Sequence, residues 1–345
     1  MIHDIKRGDR VKESILQDRF GRKHDYLRIS VTDKCNLSCV YCMPEEGMEF
    51  EPEEKLLSDD EIVEVVTVAA RMGIRKLRIT GGEPLVRKNL DQLISRLTAI
   101  PGIEDTALTT NGIFLAAKAE KLRAAGVTRI NISLDSMRAD RFRLITRGGD
   151  VRKVLAALEA SIRVGFDPIK INVVLMKGIN DDEIDDFLAL TLNSKLTVRF
   201  IEYMPIGHES KDWRSRYLPL STVLERCQAL GMSYGRINEV YGNGPSENYQ
   251  IAGAQGSFGL IHPVSDHFCS NCNRLRLTAD GMIKPCLYWN YETYVRPAIG
   301  QPEMIERLFR ETLAQKPETH EMAKALANQE RSHQPTVRRM SQIGG

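Results

Sequence analysis

The sequence predicts an α/β fold: an incomplete parallel (β/α)6 barrel followed by a smaller C-terminal domain. Two patterns lead to this prediction. Short β-rich runs alternate with amphipathic helical stretches from residue 26 to about residue 205, and this alternation stops in the rest of the chain. Six β–α units in sequence favour parallel strands joined by crossover helices. We therefore assign residues 1–205 to the barrel, including an N-terminal extension, and residues 206–345 to the second domain, which would act as a lid.

The predicted strands are short runs rich in β-branched and apolar residues, at 26–32, 74–80, 105–110, 129–135, 169–176 and 197–203. Helical periodicity separates them. The clearest case is residues 58–72, where Ser58 and Glu61 form the sequence signature of a capping box and apolar residues follow at helical spacing.

Polarity within the strands distinguishes a barrel from a flat sheet. In the first strand Leu27 and Ile29 face one way, while Arg28 and Ser30 face the other. A sheet with helices on both faces would have nearly continuous apolar strands. A curved sheet with helices outside and a solvated interior accounts for the alternation. A complete eight-unit barrel usually has an apolar interior, so six units with a polar interior predict a barrel that stays open for a large substrate.

The polar face of these strands is cationic and carries Arg28, Lys76, Arg78 and Lys170. Buried cations without a counter-charge are very unfavourable. Salt bridges to interior acids are one solution, but Asp135 and Glu202 are the few candidates. An anionic ligand is the other solution, and a polyphosphate suits both Arg and Lys.

Charge and hydropathy exclude several classes of protein. The chain has 345 residues with 48 Lys and Arg against 46 Asp and Glu, a formal net charge of +2. This balance argues against general attraction to nucleic acid or membranes. No apolar run approaches the roughly 20 residues of a membrane helix, and the polar N-terminus lacks the apolar segment of a signal peptide. We expect a cytoplasmic protein that binds neither nucleic acid nor a membrane.

Seven cysteines carry the strongest signal in the sequence. An odd number in a cytoplasmic protein argues against a disulfide framework. Cys227 stands alone in an apolar helical stretch and is expected to be a buried structural thiol. The other six form two groups of three, a pattern typical of metal ligation: Cys35, Cys39 and Cys42, and then Cys269, Cys272 and Cys286.

The first group has the spacing C-x3-C-x2-C directly after the first strand. Three thiolates can hold three irons of a [4Fe–4S] cluster and leave the fourth iron open. A structural zinc site is the alternative, but it needs a closed set of ligands, and Asp33 and His24 are poorly placed. The turn 81–84 (Gly-Gly-Glu-Pro) follows the second strand. Its glycines would let the backbone approach a ligand with an ammonium group, although such a sequence also suits a simple turn.

The second group has the spacing C-x2-C-x13-C. A second cluster with an open iron is one interpretation, and a zinc knuckle completed by His262 or His267 is the other. Arg274 and Arg276 lie next to these cysteines. They could hold an anionic substrate against the open iron, or they could belong to a solvated basic strand.

The first cysteine spacing together with Gly-Gly-Glu-Pro resembles the radical S-adenosylmethionine (SAM) superfamily. Further motifs resemble one family within this superfamily, the GTP 3′,8-cyclases, which are lyase-class enzymes of molybdenum cofactor biosynthesis. These motifs are the runs at 27–33 (LRISVTD), 108–112 (LTTNG), 131–135 (NISLD) and 268–274 (FCSNCNR), and the terminal Gly344-Gly345. The resemblance covers residues 20–345.

This resemblance implies two [4Fe–4S] clusters, one for each cysteine group, and SAM as cofactor. SAM contacts are implied at Tyr41, Gly82, Ser133 and Met204. GTP contacts are implied at Arg28, Arg78, Thr109, Lys170, Arg274, Leu275 and Arg276, of which Arg274 and Arg276 are also implied in catalysis. The implied reaction is transfer of the 3′ hydrogen of GTP to a 5′-deoxyadenosyl radical, followed by bonding of C3′ to guanine C8.

The resemblance also implies an electron donor such as a flavodoxin-type reductant, and a functional link to cyclic pyranopterin monophosphate synthase as the next enzyme. The Gly-Gly tail is expected either to enter the barrel or to form a disordered terminus.

Two other functions are also compatible with the residues alone. One is a radical SAM enzyme with an auxiliary cluster that modifies a peptide, and the other is a zinc-binding nucleic-acid module.

Overall fold

The computed structural model describes residues 15–206, 213–237, 244–265, 268–327, 329–330 and 334–344. Its strands are β1 Tyr26–Ser30, β2 Lys76–Thr80, β3 Asp105–Thr110, β4 Arg129–Ser133, β5 Ile169–Leu175, β6 Thr197–Glu202, β7 Tyr234–Arg236, β8 Glu247–Ile251, β9 Ser257–Ile261, β10 Arg274–Leu277, β11 Met282–Lys284 and β12 Thr293–Tyr294. Its α-helices are α1 Asp59–Arg71, α2 Leu90–Thr98, α3 Leu115–Ala124, α4 Ala139–Thr146, α5 Val151–Val164, α6 Ile184–Ala189, α7 Trp213–Arg216, α8 Ser221–Ala229, α9 Pro302–Ala314, α10 Met322–Leu326 and α11 Met340–Ile343.

The six predicted strands form the centre of one sheet and are parallel in sequence order. The complete order is β12-β11-β10-β1-β2-β3-β4-β5-β6-β9-β8-β7. Within the described part of the chain the two outermost strands do not pair with each other, so the barrel is open. The predicted incomplete parallel barrel is confirmed.

The C-terminal region extends this sheet at both ends. β9 pairs in parallel with β6, and β10 pairs in parallel with β1. Each is also paired antiparallel with a following or preceding strand, which gives the β8–β9 and β10–β11 hairpins. These hairpins satisfy the backbone groups that β1 and β6 would otherwise expose as edge strands. The boundary at residue 205 stays a prediction, but the strands that follow it belong to the same sheet.

The observed elements are slightly shorter than predicted. β1 ends at Ser30 rather than at residue 32, because Val31 and Thr32 begin the loop that carries the first cysteines. β2 begins at Lys76 rather than at residue 74, since the backbone N–H groups of Arg75 and Lys76 both donate to Asp25 O as the chain turns into the strand.

The predicted capping box is present at the start of α1. The backbone N–H of Glu61 donates to Ser58 Oγ (3.2 Å), and the N–H of Ser58 donates to Glu61 Oε2 (2.8 Å). Two backbone donors at the helix start are thereby satisfied.

The apolar side of the sheet packs against the outer helices. Leu27, Ile29, Leu77 and Ile79 are fully buried in one continuous core with residues of α1, α2 and α5. Cys227 is also fully buried in this core, as predicted for a structural thiol. No helix of the described residues is long and apolar enough to span a membrane.

Candidate active site

The concave face of the sheet lines a large cavity, whose empty space, including solvent at its opening, is ≈ 1820 Å³. All six cysteines of the two groups line this cavity. Both cysteine groups therefore face the same space.

The two cysteine groups lie at opposite ends of the barrel. Cys35, Cys39 and Cys42 follow the carboxyl end of β1. Cys269 and Cys272 precede the start of β10, which is aligned with the start of β1 through the pair Tyr26–Arg274. Cys286 follows β11, which runs antiparallel to β10, and so it lies at the same end as Cys269. β1 has five residues, so the ends are separated by roughly 17 Å.

Local hydrogen bonds shape the first cysteine loop. Cys39 O accepts from the backbone N–H of Cys42 at 2.9 Å, and Cys35 Sγ accepts from Leu37 N at 3.4 Å and from Asn111 Nδ2 at 3.8 Å. Burial raises the pKa of Cys35 to about 11 and raises those of Cys39 and Cys42 further. The thiols therefore stay protonated at neutral pH unless they bind a metal.

The donor set fits iron–sulfur clusters better than single ions. Among the described residues, no three Cys, His, Asp or Glu side chains converge closely enough to hold one metal ion. Zinc needs four close ligands, whereas each cysteine of a cluster binds a different iron. His262, one candidate for completing a zinc knuckle, lies beside Glu202 instead (Nδ1–Oε1 3.7 Å). The other candidate, His267, lies outside the described residues.

The Gly-Gly-Glu-Pro turn packs tightly against the first cysteine loop. The backbone N–H of Gly82 donates to Thr32 O at 2.7 Å, and that of Glu83 donates to Lys34 O at 2.8 Å. A Cβ at Gly82 would lie 2.4 Å from Lys34 O and 2.5 Å from Asp33 O. The glycine is thus required by the cysteine loop itself, in addition to the predicted close approach of a ligand.

Glu83 connects this turn to the end of β3. Its carboxylate accepts from Thr110 Oγ1 and from the backbone N–H of Asn111, both at 2.7 Å, and from the N–H of Leu85 at 3.0 Å. Burial raises the pKa of Glu83 to about 7 despite these donors. The side chain therefore ties its own turn to the end of β3 at the first cysteine end.

The four residues predicted to contact SAM all line the cavity: Tyr41, Gly82, Ser133 and Met204. The hydroxyl of Tyr41 donates to Asp135 Oδ2 at 2.6 Å, and the other carboxylate oxygen accepts from Val174 N at 2.8 Å. With its hydroxyl engaged in this way, Tyr41 offers its backbone and ring to a ligand.

A row of arginines crosses the middle of the cavity. The strand register aligns Arg276 of β10, Arg28 of β1 and Arg78 of β2 directly beside one another. All three line the cavity. Burial and the neighbouring Arg276 and Arg78 lower the pKa of Arg28 well below its usual value, and burial lowers that of Arg276 to about 10. The row is a strong attractor for an anion.

Two cations predicted on this face lie away from the cavity lining. Lys76 forms an ion pair with Asp25 (Nζ–Oδ2 3.1 Å) and is part-exposed, because it stands at the very start of β2. Lys170 is buried, and burial followed by Arg199 and Arg78 lowers its pKa to about 6. It belongs to the same cationic cluster without being among the lining residues. The interior acids Asp135 and Glu202 have other partners: Asp135 accepts from Tyr41 and from the backbone N–H of Val174, and Glu202 accepts from Ser265 and lies beside His262.

The remaining GTP candidates occupy different positions. Thr109 and Arg274 line the cavity, and Thr109 Oγ1 is buried without a hydrogen-bond partner among the described residues. The Leu275 side chain is fully buried in the core on the other face of the sheet, so only its backbone is available to a ligand.

Three further polar residues meet on the polar face of the sheet. Arg199 Nη2 donates to Asn131 Oδ1 (2.5 Å) and to Asn172 Oδ1 (2.6 Å), forming a bridge across β4, β5 and β6. The alternation of polar residues in β4 and β5 was the available signal. Arg199 and Asn172 line the cavity.

The C-terminal tail enters the barrel. Arg276 Nη1 donates to the backbone carbonyl of Gly344. A Cβ at Gly344 would lie 2.1 Å from Thr80 Oγ1, and its φ of +72° also favours glycine. Of the two alternatives predicted for the tail, entry into the barrel is thus observed for Gly344. Gly345 lies outside the described residues.

Two family models match adjacent parts of the chain. The Radical SAM superfamily matches residues 29–191, and Molybdenum Cofactor Synthesis C matches residues 196–322. Among curated relatives, a GTP 3′,8-cyclase from Listeria welshimeri serovar 6b is 57% identical over 331 residues, covering 96% of this chain and 99% of the relative. A GTP 3′,8-cyclase from Moorella thermoacetica is 45% identical over 342 residues, covering 96% of this chain and 100% of the relative.

Solved structures with low sequence identity share the fold. Streptococcus suis SuiB bound to S-adenosylmethionine has a TM-score of 0.54 at 14% identity, over 88% of this chain and 67% of that one. Native anSMEcpe with bound AdoMet has a TM-score of 0.55 at 15% identity, over 87% of this chain and 82% of that one.

Proposed function

Because the chain belongs to the GTP 3′,8-cyclase family of the radical SAM superfamily, as its motifs predicted, we propose that it converts GTP to 3′,8-cyclo-7,8-dihydro-GTP. This is the first step of molybdenum cofactor biosynthesis. The cofactors are SAM and two [4Fe–4S] clusters. When bound and reduced, the cluster at Cys35, Cys39 and Cys42 supplies the electron that cleaves SAM.

One observation carries the proposal: both three-cysteine groups line one cavity, and the arginine row lies between them. GTP needs a cationic site for its triphosphate and a position for its ribose near SAM. The guanidinium groups of Arg28, Arg78 and Arg276 can each donate two hydrogen bonds to phosphate oxygens. Binding of the triphosphate there would hold the ribose close to SAM, which is the proximity contribution to catalysis.

The other residues of the site orient the ligands and exclude water. Tyr41, Gly82, Ser133 and Met204 are proposed to hold SAM at the carboxyl end of the strands. Arg274 and Arg276, next to the second cysteine group, are proposed to hold GTP in the orientation that cyclisation requires, together with Thr109, Lys170 and the backbone of Leu275. Enclosing the bound ligands within the barrel would also keep stray hydrogen donors from a reactive radical.

The Arg28→Met variant tests the arginine row. We expect GTP affinity to fall about 30-fold or more, since removing one member of a buried charge pair costs roughly 2–5 kcal/mol. The iron and sulfide content of both clusters should not change. Isothermal titration of reconstituted protein with GTP measures the effect. The control is Arg96→Met, which removes an exposed arginine of α2 paired with Asp60. Equal GTP affinity in the Arg28 variant would contradict the assignment.

The reaction is tested with anaerobically reconstituted protein, SAM, a strong reductant and GTP deuterated at C3′. We expect deuterium in the 5′-deoxyadenosine, together with a cyclised nucleotide. Unlabelled 5′-deoxyadenosine without that nucleotide would exclude the cyclase and favour modification of a peptide by the same cofactor chemistry. No 5′-deoxyadenosine, in protein with both clusters, would contradict the catalytic proposal itself.

The partners follow from the reaction. A flavodoxin-type protein is proposed as the electron donor, because SAM cleavage consumes an electron that GTP does not supply. Cyclic pyranopterin monophosphate synthase is proposed to take the product. The site of action is proposed to be the cytoplasm, since none of the seven cysteines forms a disulfide, and reduced cysteines persist in that compartment.

A further inference from the structure

A buried lysine lies behind the second cysteine group, just after α9. The Lys316 side chain is almost fully buried, at 2% relative exposure. Its Nζ donates to the backbone carbonyl oxygens of Arg274 (2.8 Å) and Pro285 (2.5 Å). Arg274 follows Cys272 by two residues, and Pro285 immediately precedes Cys286. The ammonium group thus ties together two segments that each supply a cysteine.

A second buried cation holds the third cysteine. Arg22 Nη1 donates to Cys269 O (2.7 Å) and to Glu318 O (2.8 Å), and Nη2 donates to Pro317 O (2.6 Å). The charge of Arg22 is balanced by Asp18, with Nε and Oδ2 2.6 Å apart. All three cysteine segments are therefore attached to buried cationic side chains.

The charge of Lys316 differs from that of Arg22 in one respect. Among the described residues, no carboxylate lies within ion-pair distance of its ammonium group, whose two partners are backbone carbonyls. A buried ammonium without an opposite charge is very unfavourable. Burial lowers the pKa of Lys316. The position requires an anion on the cysteine side.

We propose that Lys316 is a positioning residue for the second [4Fe–4S] cluster, where its ammonium group supplies the counter-charge and raises the reduction potential. This inference rests on the second cluster of the proposed function. A [4Fe–4S] cluster held by three thiolates is an anion and becomes more negative on reduction. A fixed cation beside it therefore favours the reduced state, as net charge and hydrogen bonding do in other clusters.

The test uses full-length protein in which Cys35, Cys39 and Cys42 are all replaced by Ala, so that the second cluster is observed alone. Lys316→Met removes the charge and keeps a long side chain, whereas Lys316→Arg keeps the charge. The control is Lys324→Met, because the ammonium group of Lys324 already pairs with Glu321 (2.6 Å) and its side chain is 43% exposed.

The measurement is a redox titration followed by electron paramagnetic resonance. At a fixed potential, the ratio of reduced to oxidised cluster is expected to fall about tenfold in Lys316→Met, a shift of about 59 mV for one electron. The Lys316→Arg and Lys324→Met proteins are expected to have reduction potentials close to that of the parent protein. An unchanged potential in Lys316→Met overturns the inference. A potential that falls as far in Lys316→Arg as in Lys316→Met overturns it too.

If Lys316→Met binds less iron, the potential is compared on the clusters that do assemble, because the titration reports the reduced fraction of the cluster and not its amount. Assembled clusters with the potential of the parent would identify a merely structural lysine and overturn the inference. If no cluster assembles in Lys316→Met, Lys316→Gln takes its place in the same titration, since glutamine keeps a hydrogen-bond donor and carries no charge. A parent protein that assembles no cluster would instead refute the second cluster of the proposed function.

Discussion

The Cys286→Ala variant, reconstituted anaerobically, is expected to cleave SAM and yet form almost no cyclised nucleotide. Cys286 belongs to the cysteine group at the start of β10, while SAM is proposed to bind at the other end of the barrel. Removing one thiolate disturbs the second cluster and the GTP proposed to bind beside it, without touching the first cysteine loop. Misplacement of a reacting group by about 1 Å can cost roughly 10²-fold in rate, so we expect at least this loss of product.

Both products are measured in one reaction: 5′-deoxyadenosine reports SAM cleavage, and the cyclised nucleotide reports turnover of GTP. The matched control is Cys227→Ala, which removes a thiol that is fully buried in the core and distant from the cavity lining. It should retain both products. Full yield of cyclised nucleotide from Cys286→Ala would refute the role given to the second group.

The Gly82→Ala variant is expected to have the opposite pattern: loss of the first cluster with retention of the second. The added Cβ would lie 2.4 Å from Lys34 O and 2.5 Å from Asp33 O. Both are backbone atoms at the start of the first cysteine loop, so the loop itself must move. Overpacking of this kind typically costs about 1–3 kcal/mol, and here it displaces the residues that precede Cys35.

Iron analysis measures this effect, and we expect a decrease from about eight to about four iron atoms per chain. SAM cleavage should be lost with the first cluster. The control is Gly235→Ala on β7, because a Cβ at that position has no atom within 4 Å. If Gly82→Ala kept its full iron content and cleaved SAM normally, the close packing of the turn against the cysteine loop would have no functional role.

Much of the fold was predictable because its signals are local. The alternation of Leu27 and Ile29 with Arg28 along β1 separates the buried core from the cavity, and the same alternation in β2 places Arg78 on the same face as Arg28. The spacing of Cys35, Cys39 and Cys42 within eight residues requires one loop to hold all three. Periodicity and spacing of this kind depend only on strand geometry and on the reach of a short chain.

The position of the second cysteine group was decided by strand pairing. No pattern in the sequence indicates that β10 joins β1, or that β9 joins β6 at the other edge. Such pairing depends on backbone hydrogen bonds, which any residue except proline can donate, and on closure of long loops. Without it, the sequence could not place the two cysteine groups at the two ends of one cavity.

The parallel barrel, the cationic interior and the two sets of thiols could all be predicted, because each depends on residues that are close together in the chain. Which distant residues meet depends instead on the fold. Gly344 reaches Arg276, Arg22 reaches Cys269, and Lys316 reaches the carbonyls beside Cys272 and Cys286. These contacts join segments far apart in the chain through single buried hydrogen bonds. A lysine or glycine selected for such a contact looks like any other in the sequence, since its partner is fixed by the fold.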